Sequence, residues 1–221
     1  MSSLNTLSNL ALEGNIEELK VEIEKNNLLI NKKDEDGRTL LHWAVSGGRL
    51  ELTKYLISLG SDISVADEAG WTCLHIAVSA GRTELVGLLL EKDEKLVLSS
   101  NEKGLTPLFY ATSKDYQDIA QKLLNAKSNL RHQDSLGQTV LHRAASMGRT
   151  KLLNLFLDNK APINIVDNLG NTPLHLACEE GREEEIRILL AKGADPDKLN
   201  KDGQTPAELA SPGLKKLLFS Q

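Results

Sequence analysis

Cysteine is nearly absent from this sequence: Cys73 and Cys178 are the only two, and neither belongs to a CxxC pair. That excludes a disulfide framework or a zinc module and points to a reducing compartment. Aromatic residues reach only 4%, too few for a stacking surface on nucleic-acid bases. An excess of positive charge is missing as well. The formal net charge of -5 opposes binding to a duplex, which needs Lys and Arg to replace counterions. No apolar run approaches the roughly 18 residues of a membrane span. The first residues, MSSLNTLSNLALEGNIEELK, lack a basic start followed by an apolar core, so no secretory signal is expected. With 40% apolar and 26% charged residues, the chain reads as ordered and water-soluble.

What the sequence does have is a period. The segments GRTLLHWA, GWTCLHIA, GLTPLFYA, GQTVLHRA, GNTPLHLA and GQTPAELA begin at Gly37, Gly70, Gly104, Gly137, Gly170 and Gly203, at intervals of 33, 34, 33, 33 and 33 residues. Thr39, Thr72, Thr106, Thr139, Thr172 and Thr205 keep step, as do Asp34, Asp67, Asn101, Asp134, Asp167 and Asn200 ahead of them. A period near 33 with a TPLHxA core resembles the ankyrin-repeat family. The resemblance implies an all-α ankyrin-repeat solenoid of seven helix-turn-helix units, with β-hairpin-like tips and imperfect terminal caps. The expected organisation is a single domain, 1–221, with repeats at about 3–33, 34–66, 67–100, 101–133, 134–166, 167–199 and 200–221.

Each unit has a physical reading. The Asp/Asn-x-x-Gly stretch is turn chemistry, because the short polar side chain bonds nearby backbone and Gly accepts positive φ. The Thr caps the first helix, and Pro107, Pro173 and Pro206 sit just inside it. Ala44, Ala77, Ala111, Ala144 and Ala177 let neighbouring inner helices approach, and Gly81, Gly148 and Gly181 end them. Leu56, Leu89, Leu123, Phe156 and Leu189 on the second helices should form the core. Ala11 and Ile23 fall in register with Ala44 and Leu56, which marks residues 3–33 as a degenerate first repeat. The final SPGLKKLLFSQ reads as a shortened, more polar cap. The single long interval falls at LEKDEKLVLSS, and Phe109 replaces the recurring His.

Catalytic and metal readings find no support in the pattern. His42, His75, His142 and His175 occupy one position per repeat, about 8–10 Å apart in neighbouring helices, too far to share a metal with bonds near 2 Å. They are expected to bond turn backbone. His132 reads as a solvated side chain, and Glu183 and Glu185 as solvated surface. There is no Gly-rich phosphate loop and no HExxH. Cys73 and Cys178 read as small buried packing residues. No catalytic residue, metal ligand or cofactor is expected, and the chain reads as non-enzymatic.

Positions free of turn, cap and core duty should line the concave side. They include Glu35, Asp36, Arg38, Ser46, Gly47, Glu68, Trp71, Lys114, Ser135, Leu136, Leu169, Asn171 and Glu180. Trp71 at a hairpin tip is read as an exposed interface anchor, with Trp43 beside it one repeat earlier. Trp43 has a second reading as groove filler between units. The mixed charges imply a partner with both basic and acidic patches.

The segments LLHWAVSGG, DEAGWTCLHIAVSAGRTELV, VLHRAASMG and GNTPLHLACEEGR carry a narrower resemblance, to the gankyrin-like proteins within the ankyrin-repeat family. It covers nearly the whole chain. It implies an assembly chaperone whose concave face holds the C-terminal domain of an ATPase subunit of the proteasome regulatory-particle base. Family contact positions are occupied here by Asp36, Arg38, Glu68, Trp71 and Lys114, with Trp43 alongside; Glu180 is a further concave candidate. The resemblance also offers a retinoblastoma-type partner through an LxCxE match at Leu176, Cys178 and Glu180. Against this, LxCxE ligands bind as extended strands, whereas these residues fall on an inner helix. The alternative function is a general ankyrin adaptor regulating a kinase, ubiquitin ligase or retinoblastoma-type protein. The expected state is a monomer in the cytoplasm, and 24.2 kDa is small enough for passage into the nucleus.

Overall fold

A computed structural model describes residues 3–219, with side chains from Thr6 to Lys215. The described residues form fourteen α-helices in seven pairs. The pairs are α1 (Ser3–Glu13) with α2 (Ile16–Lys25), α3 (Leu40–Ser46) with α4 (Leu50–Ser58), and α5 (Cys73–Ser79) with α6 (Thr83–Lys92). They continue with α7 (Pro107–Ser113) and α8 (Gln117–Asn125), α9 (Val140–Ser146) and α10 (Thr150–Asp158), then α11 (Pro173–Glu179) and α12 (Glu183–Ala191). The last pair is α13 (Pro206–Leu209) with α14 (Pro212–Phe219). The described residues contain no strand, only one isolated antiparallel bridge between Ala66 and Thr72. None of these helices is long and apolar enough to cross a membrane.

The chain divides into two compact units, Met1–Glu102 with Asn125–Lys127, and Lys103–Leu124 with Ser128–Gln221. In the first unit, α1, α3 and α5 pack side by side through Ala11, Ala44 and Ala77, all fully buried. Behind them Ile23, Leu56 and Leu89 form the core. In the second unit, α7, α9 and α11 pack through Ala111, Ala144 and Ala177, backed by Leu123, Phe156 and Leu189. Small residues on the inner helices set the close approach, and long apolar ones on the outer helices fill the remaining volume.

Two turns of 3-10 helix replace the usual loop after an outer helix. One, Glu94–Leu98, accounts for the long repeat interval; Asp93 caps it by accepting from the Lys95 N–H. The other, Asn27–Asn31, lies in the degenerate first repeat, where Asn26 accepts from the Leu28 N–H in the same way. Residues 220–221 and the side chains after Lys215 are outside the described residues, and with them much of the expected C-terminal cap.

The hairpin tips are built as the Asp/Asn-x-x-Gly pattern predicts. Asp67 Oδ1 accepts from the N–H groups of Ala69 and Trp71, and Asp134, Asp167 and Asn200 repeat the arrangement. Successive tips are joined by main-chain bonds. In the first unit Glu68 N donates to Asp36 O and Glu102 N to Ala69 O. In the second, Ser135 N donates to Lys103 O, Asn168 N to Leu136 O and Lys201 N to Leu169 O.

Candidate protein-interaction surfaces

The recurring histidines are structural. His42, His75, His142 and His175 are fully buried, and the Nδ1 of each accepts the N–H of the Thr three residues earlier, at 3.1–3.2 Å. That bond leaves the ring proton on Nε2. His142 Nε2 then reaches Asn171 O at 3.0 Å, and His175 Nε2 reaches Gln204 O at 3.1 Å, so these two rings tie their helices to the next tip. Burial holds the pKa values of His42, His142 and His175 below the ordinary range. In the last repeat Glu208 takes the His position, and its Oε2 accepts the Thr205 N–H at 2.7 Å, the same cap made with a carboxylate.

Phe109 cannot make this bond, and its surroundings correct the reading of His132. Rather than being solvated, His132 is half-buried, with its ring edge-on to Phe109 and Nε2 2.7 Å from Gly104 O. The Arg143 guanidinium lies 5.6 Å from the Phe109 ring centroid and pairs with buried Asp134 at 3.6 Å. Glu185 also departs from expectation: it is 4% exposed and accepts a hydrogen bond from Thr150 Oγ1, while Glu183 stays on the surface. Asn171, read as a variable surface position, is buried, with its Oδ1 bonded to Asn200 Nδ2.

In the first unit the candidate binding residues divide into two kinds. Asp36 and Glu68 are exposed on the tips, next to Glu35 and Glu102, so the outer edge is anionic. Arg38 and Trp43 belong to a fixed cluster beneath it. Arg38 Nε pairs with buried Asp67 Oδ2 at 3.1 Å, its guanidinium lies 5.1 Å from the Trp43 ring centroid, and Trp43 Nε1 donates to Asp34 Oδ2 at 2.7 Å. Trp71 is half-buried, its ring 6.1 Å from that of His75, and so is not the exposed anchor expected. Trp43 is itself half-buried, held against its own tip by Asp34 and Arg38. Gly47 is another correction: a Cβ there would overlap the Leu12 carbonyl oxygen, so close approach of α1 requires glycine.

In the second unit Lys114 and Glu180 are exposed at the C-terminal ends of α7 and α11. The LxCxE match does not present an extended ligand. Leu176 and Cys178 lie in α11 at 8% and 1% exposure, and burial pushes the Cys178 thiol up to about 12. The Cys73 thiol is raised by complete burial too, so both cysteines pack as small apolar residues. Among the described residues no group of three or more His, Cys, Asp and Glu side chains could hold a metal.

The arrangement of side chains offers exposed and half-buried surfaces on the tips and inner helices, and comparison with known proteins places them in a family. The model of the family described as "Ankyrin repeats (3 copies)" matches in overlapping placements at residues 7–100, 59–134, 93–167, 118–200 and 141–217. The "Probable 26S proteasome regulatory subunit p28" of Saccharomyces cerevisiae is 32% identical over 129 residues, 57% of this chain and 57% of that protein. The "26S proteasome non-ATPase regulatory subunit 10" of Homo sapiens is 45% identical over 56 residues, 25% of each chain. The chain thus matches little more than half the length of the yeast protein and a quarter of the human one. The crystal structure of the human ASB11 ankyrin repeat domain superposes with a TM-score of 0.82 at 24% identity, covering 100% of this chain and 97% of that one, a likeness of fold alone. Sequence period, capping chemistry and family match converge: this chain belongs to the ankyrin-repeat family, as a protein-binding domain related to the p28-type proteasome subunits.

Proposed function

We propose that the chain is a non-enzymatic assembly chaperone that holds the C-terminal domain of an ATPase subunit of the proteasome regulatory-particle base. The observation that carries this reading is the rigid Arg38–Trp43–Asp67 cluster beneath exposed Asp36 and Glu68, at the positions where gankyrin-like proteins make contact. A cation fixed over an aromatic plane, bordered by carboxylates, favours a partner surface that is mainly basic with a local acidic group. Asp36, Arg38, Trp43, Glu68 and Trp71 of the first unit contribute that chemistry; Lys114 and Glu180 of the second offer one further charge of each sign. Holding the ATPase domain would delay its docking on the proteolytic core by occlusion.

Charge reversal at the exposed tips tests the reading without disturbing the cluster. Purified C-terminal domains of the base ATPase subunits would be titrated with the parent chain and with the Asp36→Lys/Glu68→Lys variant. One domain should bind the parent, and the variant should bind it at least about tenfold more weakly at low salt, with unchanged circular dichroism. Absence of binding to every ATPase domain would sink the proposal.

A further inference from the structure

Arg143 stands where the other repeats place uncharged residues: Trp43, Ile76, Tyr110, Leu176 and Leu209 share its register. It belongs to inner helix α9 of the second unit, not to a hairpin tip. Its guanidinium is poorly satisfied for a side chain only 26% exposed. Nε is buried without a hydrogen-bond partner, and Nη1 lies 3.5 Å from Ser113 Oγ. Nη2 lies 3.6 Å from Asp134 Oδ2, beyond hydrogen-bond reach, whereas Arg38 bonds Asp67 at 3.1 Å. Asp134 is also committed elsewhere, since its Oδ1 accepts from the N–H groups of Leu136 and Gln138. The Phe109 ring, with its centroid 5.6 Å from the guanidinium, limits the freedom that Arg143 would lose on binding.

Ser113 gathers further positive charge at the same place. Arg149 Nη2 donates to Ser113 O at 3.0 Å, and exposed Lys114 follows Ser113 at the C-cap of α7. Two carboxylates stand against these three cations: Asp134, which is buried, and Asp115, which is half-buried. Exposed Glu179 and Glu180 lie one inner helix further along, at the end of α11. We infer that Arg143, with Lys114 beside it, receives one carboxylate of a partner protein on the inner helices of the second unit. A carboxylate accepts two parallel N–H bonds from a guanidinium, and Nη1 and Nη2 of Arg143 have only distant acceptors of their own. Arg143 is not among the candidate residues read from the sequence. The inference rests on the proposed function in taking the ATPase domain as the carrier of this carboxylate.

The test titrates the purified ATPase C-terminal domains with the full chain and its variants, with thermal melts run alongside. Arg143→Gln should bind at least about tenfold more weakly and Lys114→Gln about threefold, each with a shallower dependence on salt. Arg143→Lys keeps the charge without the fork and should fall between the parent and Arg143→Gln. A purely structural Arg143 would behave differently: Arg143→Gln would melt earlier but keep the parent affinity and salt dependence. That result, with the parent binding, overturns the inference while the proposed function stands. Lys114 is exposed, so Lys114→Gln decides the matter should Arg143→Gln fail to fold, and unchanged affinity there overturns the inference as well. Should the parent bind no ATPase domain, both fall.

Discussion

Gly47 and Leu12 meet backbone to backbone: no side chain fits between the α-carbon of one and the carbonyl oxygen of the other. The same Leu12 oxygen accepts a hydrogen bond from Arg49 Nε at 2.8 Å, so the degenerate first repeat is held by a steric fit and a charged donor together. The equivalent residues in other repeats, Ala80, Lys114, Met147 and Glu180, all carry side chains.

Gly47→Ala is therefore predicted to cost about 1–3 kcal/mol, the usual range for overpacking, although φ at this residue is an ordinary −71° that alanine adopts freely. The loss should be local. Amide exchange should accelerate in α1 and α2 while α9–α12 keep their protection. Uniform acceleration across the chain, or none, would contradict the assigned role.

Stability should depend on pH through the buried histidines. The folded-state pKa values of His42, His142 and His175 lie below that of a free histidine, about 6.5, so below that pH the unfolded chain binds more protons than the folded one. The stabilisation they provide is present in full above this value and is lost as pH falls from about 6.5 toward the lowered folded values. Urea midpoints measured across this range should decline on acidification, with a shallower slope for His142→Gln. A midpoint that rises toward acid would refute the sign.

Asp115 occupies a left-handed position, φ 58°, where the corresponding residues Gly48, Gly81, Gly148 and Gly181 have φ between 65° and 71°. Its Oδ1 is also buried without a hydrogen-bond partner. Asp115→Gly removes both costs and should raise stability by up to about 1 kcal/mol after the entropy of the added glycine is counted. Asp115→Ala separates the two, since it removes the carboxylate while keeping the strained Cβ. Thermal melts of the three proteins should rank Gly above Ala.

The repeat itself was open to reading because it uses local chemistry. Asp134 reaches N–H groups two and four residues ahead, and the Thr139–His142 cap spans three residues, so the pattern appears in consecutive letters. Contacts between repeats were not open in the same way. His132 packs edge-on to Phe109 and bonds Gly104, and Glu185 meets Thr150, in both cases through partners about a repeat away whose identities the period does not specify. Arg38 and Trp43 were found as candidates from their freedom to vary, but freedom from turn and cap duty did not reveal their engagement with Asp67 and Asp34. Trp71 is half-buried with its ring beside that of His75, so a tip position alone overstated its exposure.

The bonds from one tip to the next run mainly from a main-chain N–H to a main-chain carbonyl, as between Asn168 and Leu136 or Lys201 and Leu169. Such a linkage is indifferent to which side chain each tip residue carries. Glu, Ala, Lys, Ser, Leu and Asn all stand at linked positions here without altering the connection. The tips thus behave as interchangeable lettering on a fixed spine: recognition can be rewritten residue by residue at little expense to folding, and a change of partner need not await a change of scaffold.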